Sequence, residues 1–82
     1  MKGIKSRIDL GPAVISVEWV NEAAMRAETD CEADDPTPEG AWDTDSDRIL
    51  LLEGLKRKPR RARRILLHEL VHAVNDLYHQ AE

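Results

Sequence analysis

Apolar positions along this chain change rhythm several times, and each change predicts a different element. Between Ile4 and Val20 the rhythm is short: Ile8 and Leu10 alternate with polar residues, and Gly11-Pro12 reads as a turn. The run Val14-Ile15-Ser16-Val17-Glu18-Trp19-Val20 is rich in β-branched and aromatic residues, so a hairpin is the economical expectation. Asn21 to Arg26 starts a short helix with Asn21 as its cap. It gives way to a loop over Glu28 to Gly40, where acidic residues, Pro36, Pro38 and Gly40 forbid regular structure. Ala41-Trp42-Asp43 then predicts a short strand, Thr44 to Asp47 a turn, and Arg48-Ile49-Leu50-Leu51-Leu52 the return strand.

Gly54 and Pro59 bracket a switch to the helical period, and a long helix is expected from Pro59 to about Gln80. With His68 at the origin and roughly 100° per residue, His79 falls near 20°, His72 near 40°, Ile65 near 60° and Asp76 near 80°. Leu66, Leu67, Leu70, Val71, Ala73, Val74, Leu77 and Tyr78 occupy the opposite arc, from roughly 140° to 300°. The helix is therefore amphipathic, and its apolar arc is expected on a core with the histidines on the other side. Strand, strand, loop, strand, strand, helix assembles most simply as an α+β fold. A small antiparallel sheet of three or four strands would pack on one long C-terminal helix. No internal repeat interrupts this plan.

Composition narrows the class. Eighty-two residues make a single domain, 1–82, with one modest core that gains from a staple such as a bound metal. The one cysteine, Cys31, excludes an internal disulfide, fits a reducing compartment and has no metal-ligand partner near it in sequence. Met1 to Arg7 contains no apolar leader core and no stretch reaches membrane-spanning length, so a cytoplasmic protein without membrane contact is expected.

The net charge of −4 conceals a gradient. Seven of the twelve Lys and Arg residues lie between Lys56 and Arg64, whereas five of the eight residues from Glu28 to Asp35 are acidic. A solvated helix entrance, paired with the acidic loop, is the plain account of the basic run. Nucleic-acid binding is the sharper one. It is disfavoured because no aromatic residue interleaves the cations and the rest of the chain is acidic.

The chemistry concentrates in His68-Glu69-Leu70-Val71-His72, a His-Glu-x-x-His string inside the predicted helix. One helical turn places the two imidazoles on one face, about 6 Å apart along the axis. That spacing lets both rings bind one Zn²⁺, with Glu69 beside them as general base toward a zinc-bound water. A lone helical histidine is usually a satisfied core residue, but all three histidines here share the polar arc. The pattern arises by chance in well under ~1% of chains of ~80 residues. Trp19 and Trp42 are expected to be packing residues.

Gly40-Ala41-Trp42-Asp43, Arg48-Ile49-Leu50-Leu51 and Arg60-Arg61-Ala62-Arg63-Arg64-Ile65-Leu66-Leu67-His68-Glu69-Leu70-Val71-His72-Ala73 together resemble the small zincin-type metallopeptidases of bacteriophages and prophages, allied to the ImmA/IrrE-like peptidases. The likeness spans roughly residues 4 to 76, and Leu66 to Ala73 is its specific part. It implies a minimal zincin fold and a zinc-dependent peptidase acting on a peptide or protein. It also implies His68 and His72 as zinc ligands and Glu69 as general base. Such proteins commonly supply a third ligand from a further segment, whereas this chain ends at Glu82.

An unbroken helix carries Asp76 and His79 too far along the axis to close on the same ion, so His79 serves as third ligand only if the helix breaks, for instance at Asn75. Glu82, a carboxylate of the acidic loop or of the Asp43–Asp47 turn, and a residue from another chain are the remaining sources. Asp76 is a candidate for orienting a ligand imidazole or an arginine. Two other classes stay open: a non-catalytic phage accessory module that retains the zincin helix, and a nucleic-acid binder using residues 56–64. Substrate identity and oligomeric state are not legible in the sequence.

Overall fold

The computed structural model describes residues 6–11 and 13–79. Ile4 and Pro12 of the expected hairpin, and Gln80 at the expected helix end, lie outside the described residues. The order is β1 (Ser6–Asp9), β2 (Val14–Val20), α1 (Glu22–Thr29), β3 (Gly40–Asp43), β4 (Arg48–Leu52), a 3-10 helix (Glu53–Arg57) and α2 (Pro59–His79).

Local chemistry explains the boundaries. β1 and β2 pair antiparallel, Ile8 opposite Ile15. Their turn closes where Gly11, at φ 87°, donates to the Asp9 carboxylate at 2.9 Å. Asn21 caps α1 by accepting from the Ala24 N–H at 2.8 Å, and Asp30 ends it in the left-handed conformation at φ 57°. The acidic loop then folds around Arg26. Its guanidinium donates to the backbone carbonyls of Glu32 and Asp35 and to the Thr37 hydroxyl.

The fold is α+β with a long C-terminal helix on a four-stranded sheet, in the order β1-β2-β4-β3. One detail of the expected sheet is corrected: it is mixed rather than antiparallel, because β2 and β4 run parallel, Val17 opposite Ile49 and Trp19 opposite Leu51. The physical reason is the connection. Residues 21–47 hold α1, the acidic loop and β3, which is ample chain for a crossover, whereas a tight turn would have forced antiparallel pairing. β3 pairs antiparallel with β4 and forms the edge next to α2.

Burial follows the strand period of two. Ile15 and Val17 of β2, Ile49 and Leu51 of β4 and Ala73 of α2 form the core cluster, with Trp19, Trp42, Ile65, Leu66, Leu70 and Leu77 packed against it. Leu50 faces the opposite side of β4, where α1 lies, and is as fully buried as Met25 of α1. β4 is therefore covered on both faces. Among the described residues, no helix is long and apolar enough to cross a membrane.

Arg48 ties these layers together. It bonds Asp43 of β3 at 3.0 Å, Glu28 of α1 at 2.9 Å and Glu18 of β2 at 3.3 Å. Burial opposes ionisation of Asp43, but the Arg48 hydrogen bond and the Asp45 N–H outweigh it and hold the carboxyl below the ordinary aspartate range. A folded-state value below the unfolded one contributes stability that is complete above the unfolded pKa and is lost as pH falls through the folded one. The urea midpoint is therefore expected to hold steady down to about pH 5 and to drop below about pH 4. Asp43→Asn is expected to flatten that drop. An identical acid slope in the variant would remove Asp43 from this role.

Candidate metal centre

Pro59 presets the first turn of α2, and the Ala62 N–H reaches back to the Lys58 carbonyl at 2.8 Å. Twenty-one residues then run to His79. The line of α2 that meets the sheet passes through Ala62 and Ala73, both buried, with Ile65, Leu66, Leu70 and Leu77 packed on the core and Glu69 and Asp76 half-buried. This corrects the expected orientation. The covered arc spans roughly 60° to 200°, not 140° to 300°, so Leu67, Val71, Val74 and Tyr78 face outward. The helix is rolled this way because two alanines let it approach the sheet where bulkier residues would hold it off.

His68 and His72 stand exposed beside the covered line. Their Nε2 atoms converge to 3.1 Å, with ring centroids 4.7 Å apart and planes at 83°. Two nitrogens each ~2.0–2.1 Å from one tetrahedral zinc ion lie ~3.3 Å apart, so the pair fits half of such a coordination shell. Without metal, the same separation suits one Nε2–H donating to the bare Nε2 of the other ring.

Glu69 turns toward the edge strand. It lines, with His68, Ile65, Arg64, Glu39 and Gly40, an open groove of about 340 Å³ between α2 and β3. An ideal Cβ on Gly40 would lie 3.3 Å from the Glu69 Cγ and 3.5 Å from its Oε2, so the carboxylate passes directly over glycine backbone. Two polar ties join the edge strand to the helix on either side of this crossing. Glu39, just ahead of β3, takes a bidentate bond from Arg61, with Nη2–Oε1 at 2.6 Å. That hydrogen bond holds the Glu39 carboxyl below its ordinary range. Further along, the Trp42 Nε1–H donates to the Asp76 carboxylate at 3.1 Å.

The sequence-derived site residues are thus partly assembled. His68 and His72 converge, Glu69 adjoins His68 in the groove, and Asp76 binds an edge-strand indole. Among the described residues, no third His, Cys, Asp or Glu joins the two imidazoles. Glu28 and Asp43, two of the carboxylates considered as third ligand, engage Arg48. The break at Asn75 that would fold His79 back is not formed, since α2 continues through it to His79. The His79 side chain and Glu82 lie outside the described residues.

Sequence reasoning missed Gly40, assigning it to the loop before the strand. Its signal was a glycine beside an aromatic strand residue, the mark of a close backbone approach. Tyr78 also has a definite structural role. Its hydroxyl donates to the Leu10 carbonyl at 2.7 Å and pins the end of α2 to the β1–β2 turn. Compared with known proteins, the chain matches no family model, no curated protein and no solved structure.

Proposed function

We propose that this chain is a zinc-dependent metallopeptidase of the zincin type, with His68 and His72 as metal ligands and Glu69 as general base. The observation that supports it most is the 3.1 Å convergence of the two Nε2 atoms beside a groove that carries the Glu69 carboxylate. Bound zinc supplies Lewis acidity toward a water and toward the scissile carbonyl. Glu69 accepts the proton of the attacking water and passes it to the leaving amine. β3 is an edge strand, so its free N–H and C=O groups can pair with an extended peptide laid along the groove. The Arg61–Glu39 and Trp42–Asp76 ties keep that edge in register with the helix. With α2 unbroken to His79, the third ligand falls to Glu82 or to a residue of another chain.

Zinc titration followed by hydrolysis of an unstructured protein tests the reading. The chain is expected to bind one equivalent, and His68→Ala or His72→Ala to weaken binding by more than ~100-fold. Hydrolysis should stop with a chelator and return with zinc. Zinc affinity indifferent to both substitutions would overturn the assignment. A second reading, a zinc-stapled module without catalysis, rests on the same His68–His72 pair. Tight zinc binding with no hydrolysis would select it.

A further inference from the structure

The outward face of α2 carries apolar surface that the metal centre does not use. Leu67 is 55% exposed, Val71 68% and Tyr78 45%, with Val74 beside them. Their spacing of i, i+4, i+7 and i+11 makes one stripe. Leu67, Leu70, Val71, Val74 and Asn75 line a shallow, largely apolar depression of about 460 Å³. Apolar side chains gathered in one groove on an otherwise charged domain mark an interaction surface.

The same arc continues N-terminally as Arg60 and Arg63 and, at its border with the Glu69 groove, Arg64; all three lie within roughly 50° of the stripe's centre line. None of the three has a salt bridge among the described residues; the one paired arginine of this stretch, Arg61, is turned to Glu39. Nor does Arg60 help the helix that carries it. The first turn of α2 holds no acidic residue, and the Arg60 cation there opposes the positive end of the helix dipole. A local rule broken at an exposed cluster of cations points to a use in binding.

We propose that this face docks a helix of another protein whose apolar stripe ends in a cluster of carboxylates. The stripe would fill the Leu67–Val74 depression and the carboxylates would meet Arg60, Arg63 and Arg64. Arginine favours such bidentate pairing over diffuse attraction. A second copy of this chain complements the face poorly, because the outer arc of α2 from Arg60 to Tyr78 carries no carboxylate; Glu69 and Asp76 lie on the sheet side. Nucleic acid would match the arginines but not the aliphatic stripe. Docking here does not depend on the metal.

The probe is a synthetic helical peptide with leucines at i, i+4, i+7 and i+11 followed by three glutamates, titrated against the full chain by fluorescence anisotropy. Saturable binding is expected, weakened at least ~10-fold by Val71→Asp and again by Arg60→Glu with Arg63→Glu. Both sites are exposed, so circular dichroism should show the fold unchanged. Raising salt from about 0.05 to about 0.5 M should weaken binding by several-fold. Absence of saturation up to about 1 mM peptide, or equal affinity for a peptide with lysines in place of the glutamates, overturns the proposal. So does a wild-type dimer in sedimentation that Val71→Asp dissolves, or binding to phosphatidylglycerol vesicles with none to the peptide.

Discussion

Glu69→Gln is expected to abolish peptide hydrolysis while one equivalent of zinc stays bound. The amide keeps the length and planarity of the carboxylate, so the contact over Gly40 and the wall of the groove survive. What disappears is the proton acceptor. Removing a positioned general base lowers turnover by about 10²–10⁴-fold, or roughly 3–5 kcal/mol of barrier. The proposed ligand pair is untouched because the imidazoles meet through their own Nε2 atoms, on the flank beside Glu69. Rate and zinc content measured on the same sample decide the matter. Loss of both would make Glu69 a ligand, and retention of both would place the chemistry elsewhere.

Much of the scaffold was legible because its signals are local. The Asn21 cap, the turn at Gly11, the strand from Arg48 to Leu52 and the helix start at Pro59 each rest on one or two residues with fixed backbone preferences. The His68–His72 pair was legible for the same reason, since a four-residue step on a helix has one geometry. Relations between elements were less so. A helical wheel tells which residues share a side but not which side meets the sheet. Here the apolar arc is wider than the sheet can cover, and the covered part is chosen by Ala62 and Ala73. Two alanines among long side chains were the available clue.

The parallel pairing of β2 with β4 had a clue as well. Ile49-Leu50-Leu51-Leu52 is continuously aliphatic, where a strand open to solvent on one face would alternate. Such a run marks a central strand covered on both faces, and a central strand needs neighbours on each side. β3 supplies one by the short turn, so the other must arrive from a distant strand. The third donor of the proposed centre is of another kind. Nothing in the local pattern fixes where a residue beyond Tyr78 comes to rest.

Gly40→Ala tests the geometry that brings groove and helix together, and a large loss of stability is expected. Gly40 sits opposite Leu51, on the side of β3 that faces α2. An added Cβ would lie 2.5 Å from the Ile65 Cγ2, well inside any real contact. Ile65 cannot swing away cheaply, because a β-branched residue in a helix is confined largely to one χ1 rotamer. The helix must therefore lift from the edge strand, straining the Trp42–Asp76 and Arg61–Glu39 ties. Overpacking of this sort costs about 1–3 kcal/mol, a fall of roughly 5–20 °C in Tm for a domain of this size. Because Glu69 crosses the same glycine, hydrolysis should fall further than the folded fraction does. Ile65→Ala removes the clashing methyl, so its own penalty should shrink in the Gly40→Ala background. Gly54→Ala is the contrast: nothing lies within 4 Å of its Cβ position, and it should leave Tm unchanged or slightly raised. Equal Tm values for Gly40→Ala and Gly54→Ala would mean that β3 and α2 do not meet as closely as Gly40 requires, and the groove that holds Glu69 would have to be redrawn.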